Sequence, residues 1–199
     1  MAKQEVEYHR KHRAEVAPFL PSVRDRVLEI GCGEGPFRAN LDGPCEYVGV
    51  EPSPTAAGVA CGVLDQVFTG TFDQVAAELP RAHFDLVICN DVIEHMPNHD
   101  TFLQAIKAHM RPGACLVGSV QNVRCLTNLW ELVVGRDWRY RDTGILDSTH
   151  LRFFKLKSWR RALESHGYAV EALECINSIH LGSHPLKVAA KNVLIAAVG

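Results

Sequence analysis

The chain contains 199 residues, of which 47% are hydrophobic and 22% are charged, and its formal net charge is −2. A chain of this length and composition suits one globular α/β domain spanning residues 1–199, with no room for a second domain. The net charge argues against a nucleic-acid partner, and Lys187 and Lys191 interrupt the last apolar run, so no membrane span is expected. The seven cysteines show no C-x-x-C pair and no zinc spacing, which predicts reduced thiols and a cytoplasmic protein.

The first predicted strand, residues 27–30, runs into three glycines at positions 31, 33 and 35. Glycine tolerates a positive φ and lets the backbone approach a ligand closely, so we expect a small molecule at this turn. A dinucleotide-binding turn would place its third glycine at position 36, which is Pro36, and no Gly-Lys-Ser/Thr of a phosphate loop follows. Glu29, two residues before the first glycine, could instead face an ammonium group.

Four more strands are predicted in chain order, over residues 46–51, 66–68, 84–89 and 114–120. Strands that alternate with helical segments form βαβ units, so we predict a Rossmann-like, doubly wound α/β fold with a mostly parallel sheet. Ligands of such sheets bind beyond the carboxyl ends of the strands. Glu51 lies at one of these ends, where a carboxylate can accept both hydroxyls of a ribose.

Residues 121–161 lie between the fifth strand and an expected sixth strand, and we predict that they form a substrate lid. Within residues 135–161, eight residues are basic and three are acidic, a balance of +5 against −7 for the remainder. A basic segment beside a cleft can attract an anionic substrate. The alternative is that this segment is a solvated surface loop whose charges have no specific role. Apolar residues at helical spacing predict that Trp130 belongs to a small core, while Phe153 and Phe154 anchor the lid.

Two further elements are predicted towards the end of the chain. A helix is expected from Ser158, as N-cap, to His166, with Gly167 as the residue that follows it. A sixth strand is expected over residues 168–176. The tail, residues 184–199, has apolar side chains at helical spacing, so we predict a helix there and no seventh strand.

Three motifs in order, residues 27–35, 48–51 and 84–95, resemble those of the class I S-adenosylmethionine-dependent methyltransferases. The resemblance implies the sheet order 3-2-1-4-5-(7)-6, S-adenosylmethionine as cofactor and S-adenosylhomocysteine as product. In this family the glycine turn passes under the methionine part of the cofactor, with Glu29 near its ammonium, Glu51 holds the ribose, and Phe72 packs against adenine. Family members often carry an acidic residue where Thr71 stands. The implied cofactor-binding residues are Tyr8, Arg13, Glu29, Gly31, Cys32, Gly33, Glu51, Pro52, Ser53, Thr71, Phe72, Asn90, Asp91 and Val92.

Residues 8–21, 121–123 and 144–154 resemble a narrower bacterial group of methyltransferases associated with glycan synthesis. In that group an N-terminal helix, here residues 1–20, closes over the cofactor and would bring Tyr8 and Arg13 to it. The alternative is a solvated basic helix face formed by residues 9–13. The resemblance implies O-methylation of a polar or anionic small molecule or of a glycan precursor.

Methyl transfer to a hydroxyl requires alignment of the reacting groups and removal of a proton. His95, which follows the fourth strand, is the first candidate base, and His150 in the lid is the second. The pKa of an imidazole suits this task, and no metal is expected in this interpretation.

An alternative interpretation joins these residues in a metal site. Asp91, Glu94, His95 and His150 resemble the metal ligands of small-RNA 2′-O-methyltransferases, whose motif is E-x-x-E-H. Oxygen and imidazole ligands suit Mg²⁺ or Mn²⁺. The remaining alternatives are methylation of a quinone precursor and a non-catalytic, cofactor-binding partner subunit. The acidic and glycine residues retained in the three motifs argue against a non-catalytic subunit. The identity of the methyl acceptor and the oligomeric state stay open.

Overall fold

The computed structural model describes residues 9–22, 24–174, 178–180, 187–189 and 192–197. Its main sheet contains seven strands, β1 (Arg26–Ile30), β2 (Glu46–Glu51), β3 (Gln66–Thr69), β4 (Phe84–Asn90), β5 (Met110–Val120), β6 (Ala172–Glu174) and β9 (Asn192–Ala197). Their order in the sheet is β3-β2-β1-β4-β5-β9-β6, and β1 to β5 run parallel to one another. Two short strands, β7 (Ser178–His180) and β8 (Lys187–Ala189), pair with each other. The predicted Rossmann-like fold is confirmed.

The α-helices of the described residues are α1 (Pro54–Ala60), α2 (Phe72–Val75), α3 (His99–Ile106), α4 (Leu126–Val133) and α5 (Leu156–Ser165). Short 3₁₀ helices occupy Ala14–Phe19, Pro36–Asn40, Ile93–His95 and Lys107–His109. Side-chain caps fix where two helices begin: Ser53 Oγ accepts the Ala56 N–H at 3.4 Å, and Asn98 Oδ1 accepts the Thr101 N–H at 3.1 Å. These caps start α1 and α3 shortly after the carboxyl ends of β2 and β4.

The sheet is covered on both faces, and alternation along β1 divides its side chains between two cores. Leu28 and Ile30 belong to the larger core, where α3 and α5 contribute Phe102, Leu103, Trp159 and Leu163. Val27 belongs to the second core, with Val16, Phe37 and Tyr47. Because helices cover both faces, polar ligands can reach the sheet only at its strand ends, and the carboxyl ends are where the site is assembled.

The prediction of a helical tail without a seventh strand is wrong. β9 lies between β5 and β6 and is antiparallel to both, with Val117 opposite Ile195 and Leu173 opposite Leu194. An apolar run of this length cannot be assigned to a helix or a strand by periodicity alone. A strand flanked by two others, in a sheet covered on both faces, is expected to be continuously apolar.

The N-terminal segment, residues 9–20, differs from the long helix expected over residues 1–20. Within it only Ala14–Phe19 is helical, as a 3₁₀ helix, and Arg13 precedes it with φ +51°. Tyr8 lies outside the described residues.

The lid segment, residues 121–161, departs from the sequence expectations at two positions. Trp130 is 64% exposed, so its assignment to a core is wrong; α4 instead turns Asn128 towards the protein, where its Nδ2 donates to Val123 O at 2.7 Å. The helix expected from Ser158 begins two residues earlier, and Ser158 Oγ accepts the Lys155 N–H at 3.0 Å. Gly167 follows α5 with φ +75°, as predicted.

Candidate active site

The glycine turn after β1 is held open by positive backbone angles. Gly31 has φ +72° and Gly33 has φ +57°. A Cβ at Gly31 would overlap the Val92 side chain, and one at Gly33 would lie 2.7 Å from the carbonyl oxygen of His9. The turn is therefore enclosed by the residues after β4 on one side and by the N-terminal segment on the other, and only glycine fits between them.

Glu51 forms the next wall of the site, at the carboxyl end of β2. Its side chain is 3% exposed. The Gly33 N–H donates to Oε2 at 2.8 Å, and the Ser53 N–H donates to Oε1 at 2.9 Å. Since each oxygen accepts only one of these bonds, lone pairs remain for two further donors, such as the hydroxyls of a ribose.

Glu29 and Cys32 lie beneath the turn, in the second core. Tyr47 donates its hydroxyl to Glu29 Oε2 at 2.7 Å, and burial raises the pKa of the Glu29 carboxyl to about 8. Burial also raises the pKa of the Cys32 thiol, whose sulfur packs where a Cβ at Gly49 would stand. Both side chains support the turn from below in this structure, and the contact of Glu29 with an ammonium group stays a prediction.

An ion pair between Arg13 and Asp91 closes the site from above. Asp91, with φ +52°, also accepts a hydrogen bond from Ser119 Oγ at 2.7 Å and one from Gln121 Nε2 at 3.2 Å. Both charged side chains are nearly buried, at 9% and 7% exposure for Arg13 and Asp91. Two residues distant in sequence thus place one positive and one negative group side by side at the ends of β4 and β5.

The N-terminal segment reaches this position because it is tied to the glycine turn. His9 O accepts the Glu34 N–H at 3.1 Å, and Arg10 pairs with Glu34 at 2.7 Å. His12 Nδ1 donates to Pro36 O at 3.0 Å. The solvated basic helix face that the sequence left open therefore does not form over residues 9–13, because several of its side chains bind the turn.

The residues after β3 are placed differently from one another. The Thr71 N–H is capped by Gln74 Oε1 at 2.8 Å, and Thr71 is exposed. The Phe72 ring is 4% exposed and lies edge-on to Phe102 and His109, at 5.1 and 5.8 Å between ring centroids. Phe72 therefore packs in the core in this structure, and its expected contact with adenine stays a prediction.

Asn90 ends β4 with a buried amide whose nitrogen and oxygen have no hydrogen-bond partner among the described residues. An unsatisfied buried amide costs free energy, on the order of 1–3 kcal/mol, unless a ligand supplies the missing bonds. Asn90 is therefore a candidate ligand-binding residue, and its contact with the cofactor stays a prediction.

Glu94, His95 and His150 form a cluster beside this strand end. One ligand atom from each residue lies within 4.8 Å of the others, and the two imidazole centroids are 4.7 Å apart. Glu94 is fully buried, and neither of its carboxylate oxygens has a hydrogen-bond partner among the described residues. Burial raises the pKa of Glu94 to about 7.

Hydrogen bonds fix the tautomers of both histidines. His95 Nδ1 lies 3.3 Å from Thr149 O, and His150 Nδ1 lies 2.9 Å from Ile145 O. A carbonyl oxygen only accepts, so each Nδ1 carries the proton and each Nε2 keeps its lone pair. Thr149 Oγ1 donates to Asp147 Oδ1 at 2.6 Å and lies 3.1 Å from His95 Nδ1.

The structure brings together three of the four residues suggested for a metal site, while Asp91 is engaged with Arg13 and Ser119. Ser119, Gln121, Asp147 and Thr149 were not among the predicted site residues, although the last three lie in the segments 121–123 and 144–154 noted for their resemblance. The first two could have been found, since they lie at the carboxyl end of β5, where ligands of parallel sheets bind. Asp147 and Thr149 lie in an irregular loop, whose path no local pattern predicts.

A family model described as a methyltransferase domain matches residues 3–173. The chain therefore belongs to this family, within the class I S-adenosylmethionine-dependent methyltransferases. The subgroup associated with glycan synthesis is not distinguished by this match.

Among curated proteins, a ubiquinone biosynthesis O-methyltransferase of Paraburkholderia phytofirmans is 30% identical over 113 residues, covering 54% of this chain and 49% of that protein. A protein of the same name from Burkholderia orbicola is 27% identical over 150 residues, covering 71% and 64%. The chain spans about half the length of the first of these relatives.

Solved structures support the fold alone. A SAM-dependent methyltransferase from Archaeoglobus fulgidus has a TM-score of 0.67 at 18% identity, covering 98% of this chain and 94% of the other. A possible histamine N-methyltransferase from Thermotoga maritima has a TM-score of 0.70 at 17% identity, covering 100% and 95%.

The residues present fit the cofactor that the family implies. The turn at Gly31 and Gly33 leaves backbone free of side chains, Glu51 retains acceptor capacity, and the Asn90 amide lacks partners among the described residues. These are the groups that an amino-acid tail attached to a ribose would require.

Proposed function

We propose that this chain transfers a methyl group from S-adenosylmethionine to a hydroxyl of a small molecule, with His95 as the general base. The observation that carries the proposal is the hydrogen bond of His95 Nδ1 to the Thr149 carbonyl, which leaves the Nε2 lone pair of this residue available shortly after the carboxyl end of β4. The bound cofactor supplies an activated methyl group on a sulfonium sulfur. The protein must align the acceptor and remove its proton.

Four groups would hold the cofactor in this proposal. Glu51 accepts the ribose hydroxyls, while Gly31 and Gly33 let the backbone lie against the methionine portion. Arg13 and Asp91 place opposite charges side by side. Arg13 can therefore bind the carboxylate of an amino-acid tail, and Asp91 can bind its ammonium. The neighbouring Asn90 amide can satisfy its missing hydrogen bonds on the same ligand.

His95 is suited to act as a base at neutral pH. Burial lowers its pKa, and the nearby His150 lowers it further. The imidazole is therefore neutral at pH 7 and able to take a proton. The bonds from Nδ1 to Thr149 keep the Nε2 lone pair available, which a histidine rotating freely in solvent would not do.

A quinone precursor is the acceptor that we favour, because the curated relatives are named ubiquinone biosynthesis O-methyltransferases. The relatives reported above are not named for glycan synthesis, as the narrower resemblance had led us to expect. The basic lid segment suits a polar or anionic acceptor of either kind.

Transfer of labelled methyl groups to a panel of acceptors tests this function. The panel holds phenols with a free hydroxyl, nucleotide sugars and small RNAs, each incubated with the chain and labelled S-adenosylmethionine. We expect labelled product from the phenols, with RNA unmodified. Product from nucleotide sugars alone would move the assignment to glycan precursors, and product from RNA alone would contradict a small-molecule acceptor.

A second candidate function is the same transfer assisted by a divalent cation. It is favoured by the cluster of Glu94, His95 and His150, since one ligand atom of each residue lies within 4.8 Å of the others and the Glu94 carboxylate is buried. Mixed oxygen and imidazole ligands suit Mn²⁺ or Zn²⁺, and Nδ1–H bonds to carbonyls are the usual support of a metal-binding histidine. When bound, such an ion would lower the pKa of an acceptor hydroxyl.

Titration of the chain with Mn²⁺ tests this candidate, with the free ion measured by its electron paramagnetic resonance signal. Because the pKa of Glu94 is about 7 and binding requires its carboxylate, affinity should rise between pH 6 and pH 8. Glu94→Gln should weaken binding at least roughly tenfold. The surface pair His83 and Glu46 offers a control, and His83→Ala should bind as the parent does. Equal affinity of Glu94→Gln, or full activity after chelation, would exclude the metal.

A further inference from the structure

Three aromatic side chains of the lid segment pack together outside both cores of the sheet. The Phe153 ring lies edge-on to Trp138, at 5.4 Å between ring centroids, and is tilted against Tyr140, at 6.4 Å. None of the three belongs to either hydrophobic core. Tyr140 is 53% exposed, and the other two rings are half-buried. We call these three residues the ring cluster.

Phe153 is directed into the ring cluster by the residue that follows it. Phe154 O accepts the Val123 N–H at 2.9 Å, and the Phe154 ring lies 4.8 Å from Trp159 in the larger core. Consecutive side chains of an extended segment point to opposite sides, so the core position of Phe154 turns Phe153 away from the core. Phe154 thus anchors this part of the lid, and Phe153 is left to meet the other two rings.

Backbone pairing holds Trp138 and Tyr140 beside the same stretch of chain. The Arg141 N–H donates to Leu146 O at 2.8 Å, and the Ser148 N–H donates to Arg141 O at 2.9 Å. Trp138 and Tyr140 come just before this pairing and are two positions apart, a spacing that places side chains on one side of an extended segment. The ring cluster is therefore built by residues that are distant in sequence and fixed to each other through the backbone.

The ring cluster is continuous with the candidate active site. The His150 ring lies 6.5 Å from the Phe153 ring on one side and 4.7 Å from the His95 ring on the other, measured between centroids. Only one imidazole therefore separates the ring cluster from the proposed base. A molecule that lies against the ring cluster needs to extend past a single ring to bring a hydroxyl towards His95.

We propose that the ring cluster binds the aromatic ring of a phenolic methyl acceptor and directs its hydroxyl towards His95. This inference rests on the proposed transfer to a hydroxyl. Aromatic rings pair favourably in edge-to-face and offset arrangements, and partly exposed rings that already pack in this way can extend the arrangement to one more ring. A phenol, with a pKa of about 10, also gives up its proton to an imidazole more readily than a sugar hydroxyl does.

Steady-state transfer of labelled methyl groups to catechol tests the ring cluster. Trp138→Leu and Tyr140→Leu each remove one ring and keep an apolar side chain. Because neither residue lies in a core, both variants should fold, which circular dichroism verifies. We expect KM for catechol to rise at least roughly tenfold in each variant, with the affinity for S-adenosylhomocysteine unchanged. Trp138→Phe keeps a ring and should recover most of the loss.

A matched control lies in the same lid segment. Trp130 on α4 is 64% exposed and is not part of the ring cluster, so Trp130→Leu should keep the parental KM. Calorimetric titration with catechol, with the chain saturated with S-adenosylhomocysteine, measures acceptor binding without turnover. Catechol should bind the parent and Trp130→Leu equally, and should bind Trp138→Leu and Tyr140→Leu at least roughly tenfold more weakly.

The outcomes separate the ring cluster from the proposed function. Catechol binding that the two variants weaken, without methyl transfer in the parent, would support the ring cluster and refute the transfer. Methyl transfer to catechol with parental KM in both variants would overturn the ring cluster and leave the transfer in place. Equal losses of catechol and S-adenosylhomocysteine binding would overturn it as well, because the rings would then support the fold of the site. So would binding of UDP-glucose, but not of catechol, that depends on the two rings.

Discussion

Calorimetric titration of Glu51→Ala with S-adenosylhomocysteine should show an affinity at least about a hundredfold below that of the parent. The substitution removes a carboxylate that fixes the Gly33 N–H and the Ser53 N–H and that would also accept the ribose hydroxyls. Hydrogen bonds to a charged acceptor contribute about 1.5–3 kcal/mol each, and the two N–H groups are left without their partner.

Two further variants make this result specific. Glu46→Ala removes a carboxylate at the other end of the same strand, where it faces His83 on the surface, and should leave the affinity unchanged. Glu51→Gln keeps one acceptor oxygen and should fall between the parent and Glu51→Ala. Unaltered affinity in Glu51→Ala, with the protein folded, would refute the ribose assignment.

Replacement of His95 by alanine should lower kcat by roughly 10²- to 10⁴-fold, the usual contribution of a general base. Binding of S-adenosylhomocysteine should persist, since His95 is not among the residues proposed to hold the cofactor. The control is His83→Ala, which removes an imidazole that pairs with Glu46 away from the site. Parental kcat in His95→Ala would remove His95 from the chemistry.

The lowered pKa of His95 determines how kcat should depend on pH. The base is active in its neutral form, so kcat should be constant at neutral pH and fall only as the pH drops below the ordinary imidazole range. Thr149→Val removes one acceptor of the Nδ1 proton and should lower kcat, with binding of the cofactor product retained. A fall in kcat that already begins above pH 7 as the pH is lowered would point to another base.

The sequence predicted the parts of this molecule that depend on local pattern. The apolar run and glycines of residues 27–35 fixed β1 and its turn, and Glu51 was placed at the end of β2 by simple alternation of strands and helices. Gly167 was located as the end of α5 because a positive φ there favours glycine. These features need only neighbours in the chain.

The features that were missed depend on contacts between distant residues. The packing of the Phe72 ring against Phe102 and His109 is one such contact. Trp130 was assigned to a core, but the bond from Asn128 to Val123 turns the helix the other way. The ion pair between Arg13 and Asp91 joins two segments across the site, and no spacing in the sequence predicts it.

The position of β9 has a consequence for how the sheet is completed. Cys115 pairs with Ala197 and Leu173 pairs with Leu194, so the two neighbours of β9 cannot join each other until this late segment arrives. Such non-local pairing slows folding, because the entropy of closing a long loop is lost before the contacts form. Until then β5 and β6 expose unpaired backbone along two open edges, which another chain can also bind. These two edges are therefore covered only once β9 has joined the sheet.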